Sequence, residues 1–310
     1  MISLDHVTKR YGATVALKDV SFTAPAGRIT GLLGRNGAGK TTALNLMTGY
    51  FPPDEGTVTV DGMDMMTESR ECKRRIGYLP ERPPLYDEMI VTDYLGFVCD
   101  LREVAGEAKK KHVAEIIDLC ALGEVRNRLN GHLSKGFRQR VGIAQALCGS
   151  PDALILDEPT VGLDPMQVVE IRELIRELGK AHTVIFSSHI LSEVQQLCAT
   201  ALILHEGRLI RSFDMTREEE EDRVRLRLSV RGREKELTSA IRSLKTVLKI
   251  ENLAQETPGV AEYRITARRA DERGQTADQL FYLLSAMDAP IRRMIPEKDS
   301  LEEVFLRATS

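Results

Sequence analysis

The sequence predicts an α/β protein: a mainly parallel sheet covered by helices, with a helical insert and a small C-terminal α+β domain. Three observations carry that expectation. Up to about residue 215, short β-branched runs alternate with amphipathic helical stretches, the pattern of strands joined by crossover helices. Two of the runs, 153–156 and 201–204, are continuously apolar, as strands buried on both faces are. After residue 215 the composition changes, and an acidic run gives way to a strictly alternating segment.

In order, strands are expected at 2–7, 17–23, 29–33, 57–60, 76–79, 153–156, 183–186 and 201–204, with helices at 40–48, 165–178 and 190–197. From about 83 to 149 the pattern turns helical, with candidates at 92–104 and 107–122 and a third helix after Leu133. This stretch reads as an insert in the α/β domain. Residues 217–223 form a charge run, acidic from 218 to 222, which reads as a solvated linker. Beyond it, 224–230 alternates as a half-buried strand does. A helix at 234–244, strands at 248–253 and 262–267 around a Pro258-Gly259 turn, a helix at 276–287, a strand at 291–295 and a last helix at 300–307 follow. The order βαββαβ is that of a ferredoxin-like fold. Two domains are therefore expected, 1–215 and 216–310.

Composition excludes several classes. The net charge is -3, so no global basic surface recruits nucleic acid, and none is expected as a partner. The cysteines Cys72, Cys99, Cys120, Cys148 and Cys198 show no metal-ligand spacing and read as reduced core residues of a cytosolic protein. The N-terminal residues lack the basic and apolar regions of a signal peptide. No uncharged apolar run reaches the roughly 18 residues that span a bilayer, so any work at a membrane requires a partner to hold the chain there.

The chemistry begins at Gly34, Arg35, Asn36, Gly37, Ala38, Gly39, Lys40, Thr41 and Thr42, which match G-x-x-x-x-G-K-[ST] in full. The motif follows an apolar strand and opens a helix, the context a P-loop needs. Its glycines let the backbone wrap and aim N–H groups at phosphate oxygens. The helix N-terminus adds partial positive charge. Lys40 is expected on the β- and γ-phosphates of ATP, and the Thr41 hydroxyl on Mg²⁺. A second apolar strand, 153–156, ends in Asp157 and Glu158. Asp157 is placed to hold Mg²⁺, and Glu158 to polarise the attacking water.

Further motifs are shared with a known family. Leu133-Ser-Lys-Gly136-Phe-Arg-Gln-Arg140 resembles the signature motif LSGGQ-QR of the ABC ATPases, and it lies before the strand that ends in Asp157, as in that family. Gly162-Leu-Asp164-Pro resembles the D-loop, and Ser187-Ser-His189 the switch-histidine segment. Tyr11 matches the aromatic that stacks on adenine, and Glu81 stands where the family usually has the Q-loop glutamine. The sequence is thus similar to ABC ATPases over roughly residues 1–210.

The resemblance implies a P-loop NTPase cassette and a mechanism. Two cassettes pair head to tail, each ATP held by one chain's P-loop and by Ser134, Lys135 and Gly136 of the other. Asp164 crosses the interface, and His189 contacts the γ-phosphate. Two departures stand out. Glu81 ligates Mg²⁺ as an amide would but brings negative charge to the nucleotide, and Phe137 offers no hydrogen bond where glutamine is common. With Lys135 where glycine is common, the small C-terminal domain and the Ser300-Leu-Glu-Glu-Val-Phe-Leu306 ending, these features resemble ATPase subunits of ABC-2-type exporters, the gliding-motility and multidrug branches above all. The implied partners are an integral membrane permease and a second copy of the chain or a related ATPase subunit, at the cytoplasmic face of the membrane. A short coupling helix of the permease would dock on the loop 82–87, with Leu85 and Tyr86 as its apolar contacts. The alternatives are a soluble ABC ATPase without transport and the ATPase subunit of an importer. Against the first, no long coiled coil interrupts the nucleotide motifs and the motif set occurs once. A non-hydrolysing sensor would have no need of both Glu158 and His189.

Overall fold

The computed structural model describes residues 1–215, 223–253, 257, 259–268, 276–296, 301 and 305. The chain divides into two compact units, Met1–Thr216 with Phe305–Ser310 and Arg217–Val304.

The first unit opens with a hairpin of β1 (Ile2–Tyr11) and β2 (Thr14–Ala24). Then come β3 (Ile29–Leu33), α1 (Lys40–Met47), β4 (Glu55–Val60), β5 (Met63–Asp64), α2 (Ser69–Arg74) and β6 (Ile76–Leu79). Helices α3 (Val91–Leu101) and α4 (Gly106–Leu119) and a 3₁₀ turn (Asn130–His132) precede α5 (Lys135–Leu147). Next are β7 (Ala153–Leu156), α6 (Pro165–Leu178), β8 (Thr183–Ser188), α7 (Leu191–Leu197), β9 (Thr200–His205) and β10 (Arg208–Asp214).

Two sheets result. A six-stranded sheet has the order β10-β9-β3-β8-β7-β6. Its strands β9 to β6 are parallel, and β10 is antiparallel at the edge. The second sheet, β2-β1-β4-β5, is antiparallel throughout. The expected strands of the mainly parallel sheet thus separate into two sheets, and α1 packs into one core with both. Leu44, Leu46 and Met47 of α1 cluster with Ile2, Val20 and Val60 of the antiparallel sheet and with Leu32, Ile155 and Ile185 of the parallel one. Each such fully buried side chain contributes about 1.5–3 kcal/mol of transfer free energy.

The strand order positions the site. β8 lies between β3 and β7, with Leu33 paired to Ser188 and Leu156 to Phe186. The residues that follow these three strands therefore emerge side by side at the carboxyl edge, where open α/β sheets bind ligands.

Helix α5 starts where the residues direct it to: Ser134 is its N-cap and accepts from the Phe137 N–H at 3.4 Å. Asp164 caps α6 by accepting from Gln167 N at 2.9 Å, and Pro165 occupies the first turn, where its missing N–H is no loss. Helices α3 and α4 pack on each other. α5 instead lies on β6: a Cβ at Gly77 would fall 1.9 Å from the Ala146 carbonyl oxygen, and one at Gly142 would fall 2.5 Å from Leu79. At Gly77 helix and strand meet backbone to backbone, and at Gly142 the helix backbone meets the Leu79 side chain.

The second unit contains β11 (Arg223–Arg231), α8 (Glu234–Arg242), β12 (Val247–Leu253), β13 (Val260–Arg268), α9 (Thr276–Ala286) and β14 (Ile291–Pro296). Its antiparallel sheet has the order β12-β13-β11-β14, the arrangement of a split βαββαβ unit. Leu226, Leu228 and Val230 of β11 are buried against Leu237 and Ile241 of α8 and Leu280 and Leu284 of α9, which accounts for the alternation seen in the sequence. Of the expected linker 217–223, residues 217–222 lie outside the described residues, as do Pro258 of the expected turn and most of the expected helix 300–307, while Arg223 already belongs to β11.

Candidate functional site

A cleft of about 480 Å³ opens at the carboxyl edge of the parallel sheet. Arg35 to Thr42 form its floor, and Glu81, Glu158, Val161 and His189 line one side. The opposite wall comes from Thr14, Val15 and Ala16 of the hairpin and from Glu206 and Gly207 of the β9–β10 turn.

The floor is built from the P-loop. Gly39 precedes α1 at φ 103, and a Cβ there would meet the Ala16 carbonyl oxygen at 2.7 Å, so both conformation and space require glycine. No side chain caps α1, which leaves its first N–H groups to face the cleft, a ready-made anion site. Lys40 is buried, 6% exposed. Its ammonium donates to Gly34 O at 2.7 Å and lies 3.2 Å from Glu158 Oε1.

The acidic side is a hydrogen-bonded chain. Thr41 Oγ1 donates to Asp157 Oδ2 at 3.1 Å. Ser187 Oγ donates to Asp157 Oδ1 at 2.7 Å and accepts from the Glu158 N–H at 2.8 Å. One hydroxyl thus fixes both the carboxylate of Asp157 and the backbone of Glu158, which sits at φ 46. Glu158 Oε2 in turn contacts His189 Nδ1 at 2.8 Å. Burial pushes the Asp157 carboxyl above its ordinary range; hydrogen bonds from Ser187 and Thr41 oppose this, while nearby Glu158 and Glu81 reinforce it. A cation beside Asp157 would relieve that cost.

The donor set fits Mg²⁺. Thr41 and Asp157 offer two hard oxygens side by side, and Mg²⁺ commonly takes one or two carboxylates with phosphate oxygens and waters. Among the described residues, no group of three His, Cys, Asp or Glu side chains could hold a metal by itself, so the nucleotide and water would supply ligands besides the side chains. Glu81 lines the same cleft.

Other sequence candidates lie elsewhere. Tyr11 is not among the residues lining the cleft; it meets Phe51 edge-on at 5.9 Å between ring centroids, and Val15 stands on the cleft wall instead. Ser134, Lys135, Gly136 and Asp164 also lie outside the lining of this cleft. Ser134 and Asp164 cap neighbouring helices, and the Gln167 side chain packs over Gly136, so these residues form one surface of their own. The loop 82–87 corrects an expectation. Leu85 is buried, 8% exposed, and is not available to a partner, whereas Tyr86 is exposed and packs on Tyr94 and Phe97 at 5.9 and 5.6 Å. Asp87 accepts from Arg138 of α5 at 2.6 Å, which ties this loop to the helix that Ser134 begins.

Sequence reasoning missed Thr14–Ala16, Glu206 and Gly207, whose approach depends on tertiary hydrogen bonds: Lys18 N to Gly207 O at 2.8 Å and Gly207 N to Ala38 O at 3.0 Å. It also passed over Ser187, treating it as context for His189. The end of an apolar strand directly before a functional histidine was the available signal.

The family described as "ABC transporter" matches residues 17–161. The ABC transporter ATP-binding protein NatA of Bacillus subtilis (strain 168) is 38% identical over 216 residues, 68% of this chain and 88% of NatA. The bacitracin transport ATP-binding protein BcrA of Bacillus licheniformis is 38% identical over 212 residues, 68% of either chain. The "Probable multidrug ABC transporter ATP-binding protein YbhF" of Escherichia coli (strain K12) is 37% identical over 213 residues; the match spans 68% of this chain and 37% of that longer protein. The solved dimeric bacterial ABC transporter cassette MJ0796 aligns with a TM-score of 0.65 and 26% identity, covering 70% of this chain and 100% of the other. Its post-hydrolysis form bound to ADP and Pi gives 0.64 at 25% identity over the same shares.

Proposed function

The chain belongs to the ABC transporter family, as an ABC ATPase cassette, and from that premise we propose that it hydrolyses Mg²⁺-ATP in the cleft above its P-loop to drive export through a separate membrane permease. The observation that carries the reading is the placement of Glu158. Its carboxylate reaches the buried ammonium of Lys40 on one side and the imidazole of His189 on the other, inside a cleft floored by the P-loop.

Each side chain then has a task. The P-loop N–H groups and Lys40 receive the phosphates; a bound phosphate competes with Glu158 for the Lys40 ammonium and so frees the carboxylate to accept a proton from water. His189 steadies Glu158 and the γ-phosphate. Thr41 and Asp157 would hold Mg²⁺, with Glu81 as a further oxygen ligand; the ion would supply charge neutralisation at the phosphates. Tyr11 does not line the cleft, but it is exposed and pairs across the hairpin with Thr14 of the cleft wall, from where it would flank an adenine that extends past the cleft. Ser134, Lys135, Gly136 and Asp164 act on the nucleotide of a second cassette, which is a copy of this chain or a related subunit. In support, these residues form a surface apart from the chain's own cleft, and the MJ0796 cassette is described as dimeric.

The relatives' names support a transport role, which we read as export: BcrA is named for bacitracin transport and YbhF as a multidrug ABC transporter protein. Among the described residues no helix is long and apolar enough to cross a membrane. In this reading the permease is a separate chain and the cassette works at its cytoplasmic face. The purified chain is expected to release phosphate from ATP only with Mg²⁺, and to co-purify with an integral membrane protein from its own cells. No phosphate release at saturating Mg²⁺-ATP, by the chain alone or with that protein, would reject the reading.

A further inference from the structure

Two serines close β8, and the alternation of the strand sends them opposite ways. Ser187 faces Asp157 and Glu158. Ser188 faces α7, where its Oγ donates to Glu193 Oε2 at 2.7 Å and accepts from the Ile190 N–H at 3.0 Å. Ser188 is 0% and Glu193 3% exposed. The turn between them holds His189, whose ring meets Glu158 at 2.8 Å.

A buried carboxylate is costly unless hydrogen-bonded. An exposed acid in the first turn of α7 would complement the helix end without that cost. Glu193 is instead drawn inward and bound to the hydroxyl that grips the peptide immediately after His189. The carboxylate orients Ser188, Ser188 fixes the Ile190 N–H, and the backbone on both sides of His189 is thereby held.

We propose that Glu193 is a positioning residue for ATP hydrolysis, acting through Ser188 to hold the His189 turn so that the imidazole meets Glu158. This rests on the reading of Glu158 and His189 given above. Glu193 does not line the cleft, and the link from Ser188 to the P-loop is the backbone bond from the Gly34 N–H to Ser188 O at 3.4 Å, which side-chain variants retain; the nucleotide is gripped by residues 34–42. Loosening the clamp should therefore slow turnover and leave nucleotide binding in place.

The test is steady-state ATPase kinetics of the full chain. Glu193→Ala and Ser188→Ala are expected to lower kcat about tenfold, the scale of a sub-ångström misplacement of a reacting group, with the KM for Mg²⁺-ATP unchanged. Glu193→Gln, whose amide oxygen still accepts from Ser188, should retain most of the rate. Added to His189→Ala, Glu193→Ala should cost nothing further, because residues acting as a unit are non-additive. An undiminished kcat in folded Glu193→Ala, or the same loss repeated in the His189→Ala background, overturns the proposal. Should Glu193→Ala fail a thermal-melting check, Ser188→Ala, which removes one oxygen, decides alone. A wild-type rate in His189→Ala would instead overturn the underlying assignment of His189, and the clamp with it.

Discussion

Glu158 Oε2 and His189 Nδ1 stand 2.8 Å apart at the ends of two neighbouring parallel strands, so the acid and the imidazole are set by sheet order and not by local sequence. Glu158→Gln should therefore keep the shape of the cleft while losing the charge that accepts a proton. ATP hydrolysis is expected to fall by about 10²–10⁴-fold, the usual worth of a positioned base, with binding retained. The trapped nucleotide should hold two cassettes together, seen as a dimer in size-exclusion chromatography with ATP. A strictly monomeric profile at saturating ATP would count against head-to-tail pairing.

The cassette is expected to bind ATP without residues 216–310, even though the last of them, Phe305–Ser310, group with the first unit. Every residue lining the cleft precedes residue 208, and Met215 N still donates to Ala199 O at 2.7 Å. A chain stopped at Met215 should bind ATP as the full chain does, measured by calorimetry. A folded truncation that fails to bind would show that the unit boundary is wrongly drawn.

Permease docking is expected to depend on Tyr86. Its ring is exposed, and the loop is linked to α5 through Asp87 and Arg138. Tyr86→Glu should leave the basal ATPase of the isolated chain intact and abolish co-purification with the membrane partner. Leu85→Glu is unsuitable for this purpose, since it would bury a charge and unfold the insert. Normal assembly and transport by folded Tyr86→Glu would remove the loop from consideration.

Alkaline stability is expected to track Tyr94. Burial pushes its phenol up to about 12, against an ordinary value near 10. The folded state therefore keeps this proton after the unfolded state has released it. The stabilisation is fully present below about pH 10 and is lost as pH rises through 10 to 12. Absorbance titration should show Tyr94, together with Tyr78, which burial also pushes up to about 12, ionising last and in step with loss of helix signal. Ionisation of all seven tyrosines near pH 10 with the fold intact would contradict this. At neutral pH, Tyr94→Phe loses the 2.6 Å hydrogen bond to Gln145 Oε1, a cost of about 0.5–1.5 kcal/mol.

The parts of the fold legible in the sequence are those with a dense local signal. Continuously apolar β7 and β9 and the capped starts of α5 and α6 appear where expected. Strand β10 was not foreseen, because Arg208–Asp214 is an edge strand with one buried residue, Phe213, and carries little apolar weight. Helix α2 was missed for a similar reason: Cys72 is its single buried residue. The division of the strands into two sheets was hidden, since pairing partners leave no trace in a single strand's periodicity. The chemistry was legible where a loop brings its own ligands, as at 34–42. It was not legible where the site borrows distant backbone, as at Ala16 and Gly207, or where a hydroxyl such as that of Ser187 serves two neighbours.

The seam between β6 and α5 sets a limit on how this chain can vary. At Gly77 even a methyl group would overlap the carbonyl oxygen of Ala146, in the last turn of α5. In a library randomised at each position and sorted for expression, column 77 should return glycine alone. Most buried columns should return a spread of similar-sized apolar residues. That column would report, with no structure in hand, where a helix and a strand touch with nothing between them.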